Sequence, residues 1–130
     1  MQQGEDNIRH TLKKPEILRK KKSIQELFEN GSSFFLHPFK IFYLPLRDAQ
    51  NNQVMFSVSK KHFKQAIKRN KIKRRIREAY RLHKSQLTID QHNIYYSIAI
   101  VYISKLVLPY QEIEKGILKG LRRLNNIEEK

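Results

Sequence analysis

The sequence predicts one α/β domain, a sandwich in which helices cover a small mixed β-sheet in the order α-β-β-(β)-α-β-α. Three observations lead to this fold class. Short segments alternate apolar and polar residues, as strands do. Three longer segments repeat apolar residues at helical spacing. The chain has 130 residues, which suffices for one modest core but not for two domains.

The first predicted helix begins at Pro15, since proline suits the first position of a helix, and it ends at Asn30-Gly31. Residues 1–14 before it are polar and unpatterned, so we expect a flexible basic arm. The basic run at residues 19–22 has two interpretations, a solvated helix face and an RNA contact. The apolar face of this helix consists of Ile17, Leu18, Ile24, Leu27 and Phe28.

Two or three strands are predicted next. Pro38 and Pro45 limit regular strand to residues 39–44, because proline cannot donate to a β-ladder. The segment DAQNNQ at 48–53 is typical of a turn, and residues 54–59 then alternate strictly, with Val54 and Val58 on one side. We therefore expect an antiparallel hairpin between these two strands.

The C-terminal part of the chain predicts a strand and a helix. Residues 94–103 form the strand, whose large face carries Ile94, Tyr96, Ile98, Ile100 and Tyr102. Leu108-Pro109 opens the last helix, in which Gly116 and Gly120 are expected to lower stability. Its apolar positions are Ile113, Ile117, Leu118, Leu121 and Leu124. The domain then spans 15–124 and the polar tail 125–130 is expected to fray; we expect helices on one face of the sheet and an open second face.

Residues 60–84 dominate the charge of the chain. They hold twelve lysines and arginines and a single acid, Glu78, within a chain whose net charge is +15 (27 basic minus 12 acidic). Cations at this density repel one another and destabilise the compact state. The charge pattern therefore predicts a polyanionic partner.

The basic segment reads as a helix with two different faces. Its apolar stripe contains Ile72, Ile76, Ala79, Tyr80 and His83, and the opposite side carries a basic ridge of Asn70, Arg74, Arg77 and Arg81, flanked by lysines that include Lys71 and Lys73. Guanidinium groups present planar forks of donors that suit phosphate oxygens. If the strands before and after this helix pair in parallel, the helix is the crossover between them.

The start of the basic helix has two solutions. Phe63, Ala66 and Ile67 point away from the apolar stripe. We expect a helix that begins near Phe63 and whose first turns are buried under another element; the alternative is a start near Lys68 after a separate turn.

Several classes of protein are disfavoured. The chain has no cysteine, hence no disulfide or thiolate metal site, and no apolar run suited to a membrane span or a secretory signal, so we expect a cytoplasmic protein. The carboxylates do not occur in pairs that could hold metal ions, and the five histidines lack metal-ligand spacing. The glycines are scattered and do not form a phosphate-binding loop. We therefore predict no catalytic residue, no metal ligand and no cofactor bound by the protein alone, and a packed or partly buried His83.

RNA is the favoured polyanion. Cations run along most of the helix, which favours recognition of backbone and shape over reading of DNA bases in a groove. A membrane-surface helix is disfavoured, because the apolar stripe serves the sheet. Most aromatic residues belong to the core, but one or two on an open sheet face could stack unpaired bases; the candidates are Phe28, Phe34, Phe35, Phe39, Phe42 and Tyr43.

The segment RNKIKRRIREAYR at 69–81, preceded by SVSKK at 57–61, resembles the RNR signature of the bacterial ribonuclease P protein component. Leu27-Phe28-x-x-Gly31 and the order of elements also fit, so the resemblance covers 18–124. It implies a small basic protein that joins a catalytic RNA and helps to remove the 5′ leader of precursor tRNA. It further implies that the RNA carries the chemistry and the Mg²⁺ of the holoenzyme, and that the crossover at the basic helix is left-handed.

The resemblance also assigns residues by position. Residues facing the catalytic RNA, and the substrate near the cleavage site, match Arg69, Asn70, Lys73, Arg74 and Arg77, to which the basic ridge adds Arg81. Residues of the cleft that holds the leader match Phe28, Phe42, Ser57 and Lys61. Ile24 stands where the family often has a second aromatic residue, and HFKQAIK at 62–68 is one residue longer than the usual segment and lacks its Gly-Asn pair.

Two other functions share the same charge and size. A structural RNA-binding protein of the ribosome would need no leader cleft. A DNA-binding regulator would prefer a duplex site over folded RNA.

Overall fold

The computed structural model describes residues 11–46, 49–87 and 94–127. The elements follow the predicted order, and the optional third strand is present. They are α1 (Lys21–Asn30), β1 (Ser32–Leu36), β2 (Phe39–Leu46), β3 (Gln53–Val58), α2 (Ala66–His83), β4 (Tyr95–Tyr102) and α3 (Tyr110–Asn125), with 3₁₀ turns at Lys14–Glu16 and Lys84–Gln86.

The four strands form one mixed sheet in the order β1-β2-β4-β3. β2 is antiparallel to both β1 and β4, whereas β3 is parallel to β4. The basic helix α2 therefore joins two parallel neighbours, which confirms that it is a crossover. The predicted hairpin between β2 and β3 is wrong, because β4 lies between them. β4 is buried along most of its length, so its apolar residues are best covered in the centre of the sheet.

The hairpin that does form joins β1 to β2. β1 pairs with β2 only as far as Tyr43, whereas residues 44–46 of β2 pair with β4 alone. One side of β2 is therefore an edge at Pro45, which explains why the strand continues to Leu46 beyond the predicted end at residue 44.

Helices α2 and α3 cover one face of the sheet and enclose the main core. The predicted stripe of α2 is confirmed, since Ile72, Ile76, Ala79 and Tyr80 are buried. In α3 all the predicted apolar positions are buried except Leu118, which is half-buried. The sheet contributes nine buried side chains to this core: Phe34, Phe39, Ile41, Val54, Val58, Tyr96, Ile98, Ile100 and Tyr102. Ile94, expected on the same face of β4, is exposed just outside the strand.

The two glycines of α3 allow this helix to approach the sheet closely. A Cβ atom on Gly116 would lie 2.7 Å from Pro38 Cδ and 2.9 Å from Phe39 Cε2, and one on Gly120 would lie 2.7 Å from Ile41 Cδ1. Both glycines are buried. Their cost in helix propensity is therefore offset by packing that a larger residue would disturb.

Helix α1 lies on the other face of the sheet. We expected this face to be open, but α1 covers part of it. Leu27 of α1 is buried in a cluster with Leu18 and Ala99, and Ile24 of α1 and Phe42 of β2 pack partly against this cluster. α1 contacts β2 and β4, so part of this face beyond α1 stays accessible.

The first helix begins at Lys21 rather than at Pro15. Pro15 opens only the 3₁₀ turn Lys14–Glu16, and the chain then runs along the outer edge of β3. Ile17 forms a parallel bridge with Val54, and the Leu18 N–H donates to the Val54 carbonyl at 2.9 Å. The edge of β3 offers unpaired backbone groups, and satisfying them competes with extending the helix.

The basic helix begins at Ala66, between the two predicted starts. Phe63 lies in the turn before the helix and is buried against Tyr102, with ring centroids 6.2 Å apart. The expected burial is thus correct for Phe63 but wrong for Ala66 and Ile67, which are exposed, Ile67 to 81%. A separate turn can direct Phe63 into the core independently of the helical phase that follows.

Several terminal and loop predictions fall outside the described residues, namely most of the arm 1–14, Asp48 of the predicted turn and residues 128–130. At the described end of the arm, Lys84 Nζ lies 2.7 Å from the Thr11 carbonyl oxygen and 2.6 Å from Glu16 Oε1. At the other end, Asn125 Nδ2 donates to the Gln86 carbonyl at 2.9 Å. Among the described residues, no helix combines the length and apolar character needed to cross a membrane.

Candidate nucleic-acid interface

The basic ridge of α2 borders a groove at the edge of the sheet. One wall carries Asn70, Lys73, Arg74 and Arg77, and the other is formed by Ile17, Leu18, Val54, Met55 and Phe56. We call this feature the edge groove; its volume is about 500 Å³. It exists because α2 crosses from β3, an edge strand, to β4, so that its polar side faces outward beside that edge.

Three cations of the edge groove are available to a ligand. Lys73, Arg74 and Arg77 are exposed, and none of them forms an ion pair with another described residue. The opposite wall is apolar, and low-dielectric walls focus the field of the charges that border a cleft. The groove is therefore suited to polyanions such as a nucleic-acid backbone.

Two other arginines predicted to face RNA are engaged by the protein itself. Arg81 Nη2 lies 2.7 Å from Glu78 Oε2. The hydrogen bond from Arg81 lowers the pKa of the Glu78 carboxyl, and the same bond raises the pKa of Arg81. Arg69 Nη1 donates to the carbonyls of Phe63 at 2.8 Å and Lys64 at 2.9 Å, so it closes the turn before α2.

Two contacts that link α2 to α3 stiffen the ridge from behind. Arg75 Nη1 donates to the Leu108 carbonyl just before α3, a role that the spacing of the sequence did not indicate. His83 Nε2 lies 2.7 Å from Glu114 Oε2. His83 is half-buried, which confirms the expected packing. These contacts hold the helix that carries Lys73, Arg74 and Arg77 against the rest of the fold.

The face of the sheet under α1 carries two rows of side chains, because residues directly opposite in neighbouring strands project to the same side. The inner row runs from Ser33 through Phe42 and Ala99 to Met55. The outer row runs from Phe35 through Lys40 and Val101 to Ser57. Met55 also borders the edge groove, so the two candidate surfaces adjoin.

The structure brings together part of the predicted leader cleft. The rings of Phe28 and Phe42 meet edge to face with centroids 4.6 Å apart, and Phe28 remains 41% exposed. Ser57 lies in the outer row, on a different strand from Phe42. Lys61 is exposed in the turn after β3, where its backbone N–H donates to Ser59 Oγ at 3.0 Å. Ile24, at the position often aromatic in the family, is half-buried.

Lys40 is a residue of this face that the sequence interpretation missed. Its Nζ atom lies 4.9 Å from the ring centroid of Phe35 and 5.0 Å from that of Phe42. Phe35 was one of six aromatic candidates, and at 65% exposure it is the most accessible of them. Alternation within β1, which buries Phe34, was the signal that could have separated the two phenylalanines.

The described part of the chain contains no group of three or more His, Cys, Asp or Glu side chains that could hold a metal ion.

The chain is similar to proteins of one known family. The ribonuclease P family model matches residues 12–125. The chain is 33% identical over 117 residues to the ribonuclease P protein component of Porphyromonas gingivalis, covering 87% of this chain and 85% of the relative. It is 39% identical over 106 residues to that of Chlorobium phaeobacteroides, covering 72% and 73%.

Solved structures share the fold. The RNase P protein of Staphylococcus aureus aligns with a TM-score of 0.69 at 23% identity, covering 86% of this chain and 96% of that one. The RNase P protein of Thermotoga maritima aligns with a TM-score of 0.68 at 22% identity, covering 83% and 96%. With the family model and the relatives above, these likenesses lead to one conclusion: the chain belongs to the ribonuclease P protein family.

Proposed function

We propose that this chain is the protein subunit of a bacterial ribonuclease P, which assists the endonucleolytic removal of the 5′ leader from precursor tRNA. The basic ridge and the edge groove bind the catalytic RNA and the substrate near the cleavage site, and the face under α1 holds the leader. The observation that carries the proposal is the edge groove, where Lys73, Arg74 and Arg77 have no ion pair with the described residues.

The division of labour follows from the side chains present. Binding a folded RNA requires many phosphate contacts, which exposed lysines and arginines supply. Holding an unpaired leader requires aromatic rings and a basic border, and Phe28, Phe42 and Lys61 provide them. The chain contributes binding and positioning, which lower the barrier by orienting the reacting groups. Mg²⁺ and the chemical step belong to the RNA subunit in this proposal, and the cytoplasm is the compartment.

Reconstitution tests the proposal. The purified protein is added to a bacterial ribonuclease P RNA at a Mg²⁺ concentration that limits the RNA alone, and 5′-end cleavage of precursor tRNA is measured. We expect the protein to raise cleavage and to leave the precursor intact without the RNA. Binding to the RNA without any gain in cleavage would overturn the proposal in favour of a structural RNA-binding protein.

A pair of variants connects the result to the edge groove. Arg77→Ala removes an exposed cation that borders the groove, whereas Arg122→Ala removes one from the exposed side of α3. We expect weaker binding of the catalytic RNA only for Arg77→Ala. Equal losses would mean that net charge, rather than the groove, determines binding.

A further inference from the structure

We propose that Phe35 and Lys40 form a nucleotide subsite at the β1 edge of the sheet, in which Phe35 stacks an unpaired base and Lys40 binds an adjacent phosphate. The inference rests on the proposed function and extends it, because it adds a contact for a leader nucleotide beyond the cleft of Phe28, Phe42, Ser57 and Lys61.

The position of Phe35 is the first argument. β1 is an edge strand, and Phe34 and Phe35 project to its opposite faces. Phe34 enters the core at 7% exposure, whereas Phe35 keeps 65% of its surface in solvent. The core therefore does not account for the second ring. An accessible aromatic face is the feature that single-stranded nucleic acids use for base stacking.

Lys40 is the second argument. It lies directly opposite Phe35 in the β1–β2 register, and its ammonium is about 5 Å from the ring centroids of both Phe35 and Phe42. Two stacking surfaces with one cation between them match two successive nucleotides joined by one phosphate. In the free protein the cation–π contacts hold Lys40 in this place, and they are weak enough at an accessible site to be exchanged for a phosphate.

The direction of the leader follows from the outer row. Ser57 and Phe35 are its two ends, three strand spacings or about 14 Å apart. Ser57 lies near the turn that leads into α2, the helix that we propose to lie close to the cleavage site. Phe35 is at the far end, past Lys40. The subsite therefore takes a nucleotide further upstream in the leader than those held at Ser57 and Lys61.

Leader length is the variable that tests this subsite. The holoenzyme, reconstituted with wild-type or variant protein, is titrated with precursor tRNAs whose leaders grow by one nucleotide at a time. We expect Phe35→Ala to weaken binding of long-leader substrates by about tenfold, the loss of one stacked base, and to leave short-leader substrates unchanged. Phe35→Tyr keeps the ring and should bind like the wild type.

Two further measurements sharpen the test. For binding of a long-leader precursor, Lys40→Met should reduce the magnitude of the log K versus log[salt] slope by about 0.7, the value for one phosphate contact on a single strand. 2-Aminopurine placed at successive leader positions should report stacking that Phe35→Ala abolishes at one upstream position. Leu106→Ala is the matched control, because it removes an equally exposed apolar side chain, 67% accessible, from the loop after β4.

The outcomes separate this subsite from the proposed function. If the wild-type protein does not improve cleavage or binding of precursor tRNA by the catalytic RNA at any leader length, the proposed function fails. If the wild type responds to leader length and Phe35→Ala responds identically, the subsite is wrong and the proposed function stands. A change in the sedimentation of the free protein on Phe35→Ala, with leader binding intact, would make Phe35 a protein contact and would also overturn the subsite.

Discussion

The two faces of the β-sheet use the same strands for different purposes. On the α2–α3 side, β4 presents Tyr96, Ile98, Ile100 and Tyr102, all buried in the main core. On the α1 side it presents the small residues Ser97 and Ala99, and then the half-buried Val101. The first face supplies most of the apolar burial that stabilises the fold. The second keeps rings and a lysine within reach of a ligand.

Helix α2 repeats this division within one element. Its inward stripe of Ile72, Ile76, Ala79 and Tyr80 is buried, while Lys73, Arg74 and Arg77 stay exposed. A highly charged protein can tolerate such a ridge because burial on the opposite side offsets the self-repulsion. The comparison predicts that substitutions on the core side change stability, whereas substitutions on the ligand side change binding.

The largest effect is expected for Ile76→Ala on the core side. Ile76 is fully buried, and truncation of a buried isoleucine costs about 2–5 kcal/mol through lost burial and the cavity left behind. The measurement is urea unfolding of the free protein, with Val101→Ala on the α1 side as the comparison. If Val101→Ala destabilised the protein as much as Ile76→Ala, the division between the two faces would be refuted.

The glycines of α3 test how closely the core side is packed. Gly116→Ala places a methyl group against Pro38 and Phe39, and we expect a loss of about 1–3 kcal/mol from overpacking. A Cβ atom at Gly120 would lie close to the flexible end of Ile41 and at ordinary contact distance, 3.9 Å, from Leu36 Cδ2. The gain of about 1 kcal/mol in helix propensity in Gly120→Ala should offset the contact with Ile41. Thermal unfolding of both variants gives the ranking, and equal stabilities would contradict the close approach of α3 near Gly116.

Phe42→Ala tests the ligand side of the sheet. Phe42 is half-buried and packs edge to face against Phe28. Its loss should therefore weaken the free energy of binding of leader-containing precursor by about 1–3 kcal/mol, the range for one stacked base. Binding of the catalytic RNA and of tRNA without a leader should change little. Equal weakening for mature tRNA would show that the leader does not occupy this face.

The double variant Arg74→Ala with Arg77→Ala probes the edge groove. Each cation that contacts one phosphate contributes about 0.9 to the magnitude of the log K versus log[salt] slope. For binding of the catalytic RNA, the magnitude of this slope should therefore fall by up to about two units. Lys119→Ala with Arg122→Ala removes two exposed cations from α3 and provides the charge control. Urea unfolding of both double variants should show the stability of the wild type. An unchanged slope would mean that these arginines do not face the RNA.

The smallest effect is expected for Glu78→Gln. Arg81 lowers the pKa of Glu78 in the folded protein, so the pair contributes stability above the ordinary pKa of a glutamate, and that contribution is lost as pH falls through the lowered pKa. The stability of Glu78→Gln should therefore fall slightly less than that of the wild type in acid unfolding. At neutral pH the loss of one negative charge beside the basic ridge should strengthen RNA binding slightly, and Glu26→Gln on α1 is the charge-matched control.

Some errors of the sequence interpretation share one origin. Pro15 suggested a helix start, but residues 17–18 pair with the edge of β3 instead. The alternation at 54–59 indicated a strand correctly, but it could not tell that the neighbour of this strand is β4 rather than β2. Each of these depends on which groups compete for a partner once the chain has folded.

By itself the sequence determined the order of elements, the two faces of α2 and the polyanionic character of the ligand, because burial periodicity and charge are local properties of a segment. Only the tertiary structure decided which strands are neighbours, which cations of the edge groove have no ion pair with the described residues, and that Lys40 lies between the rings of Phe35 and Phe42. These features depend on register between separate segments, and the free energy that sets register comes from the whole sheet and its packing.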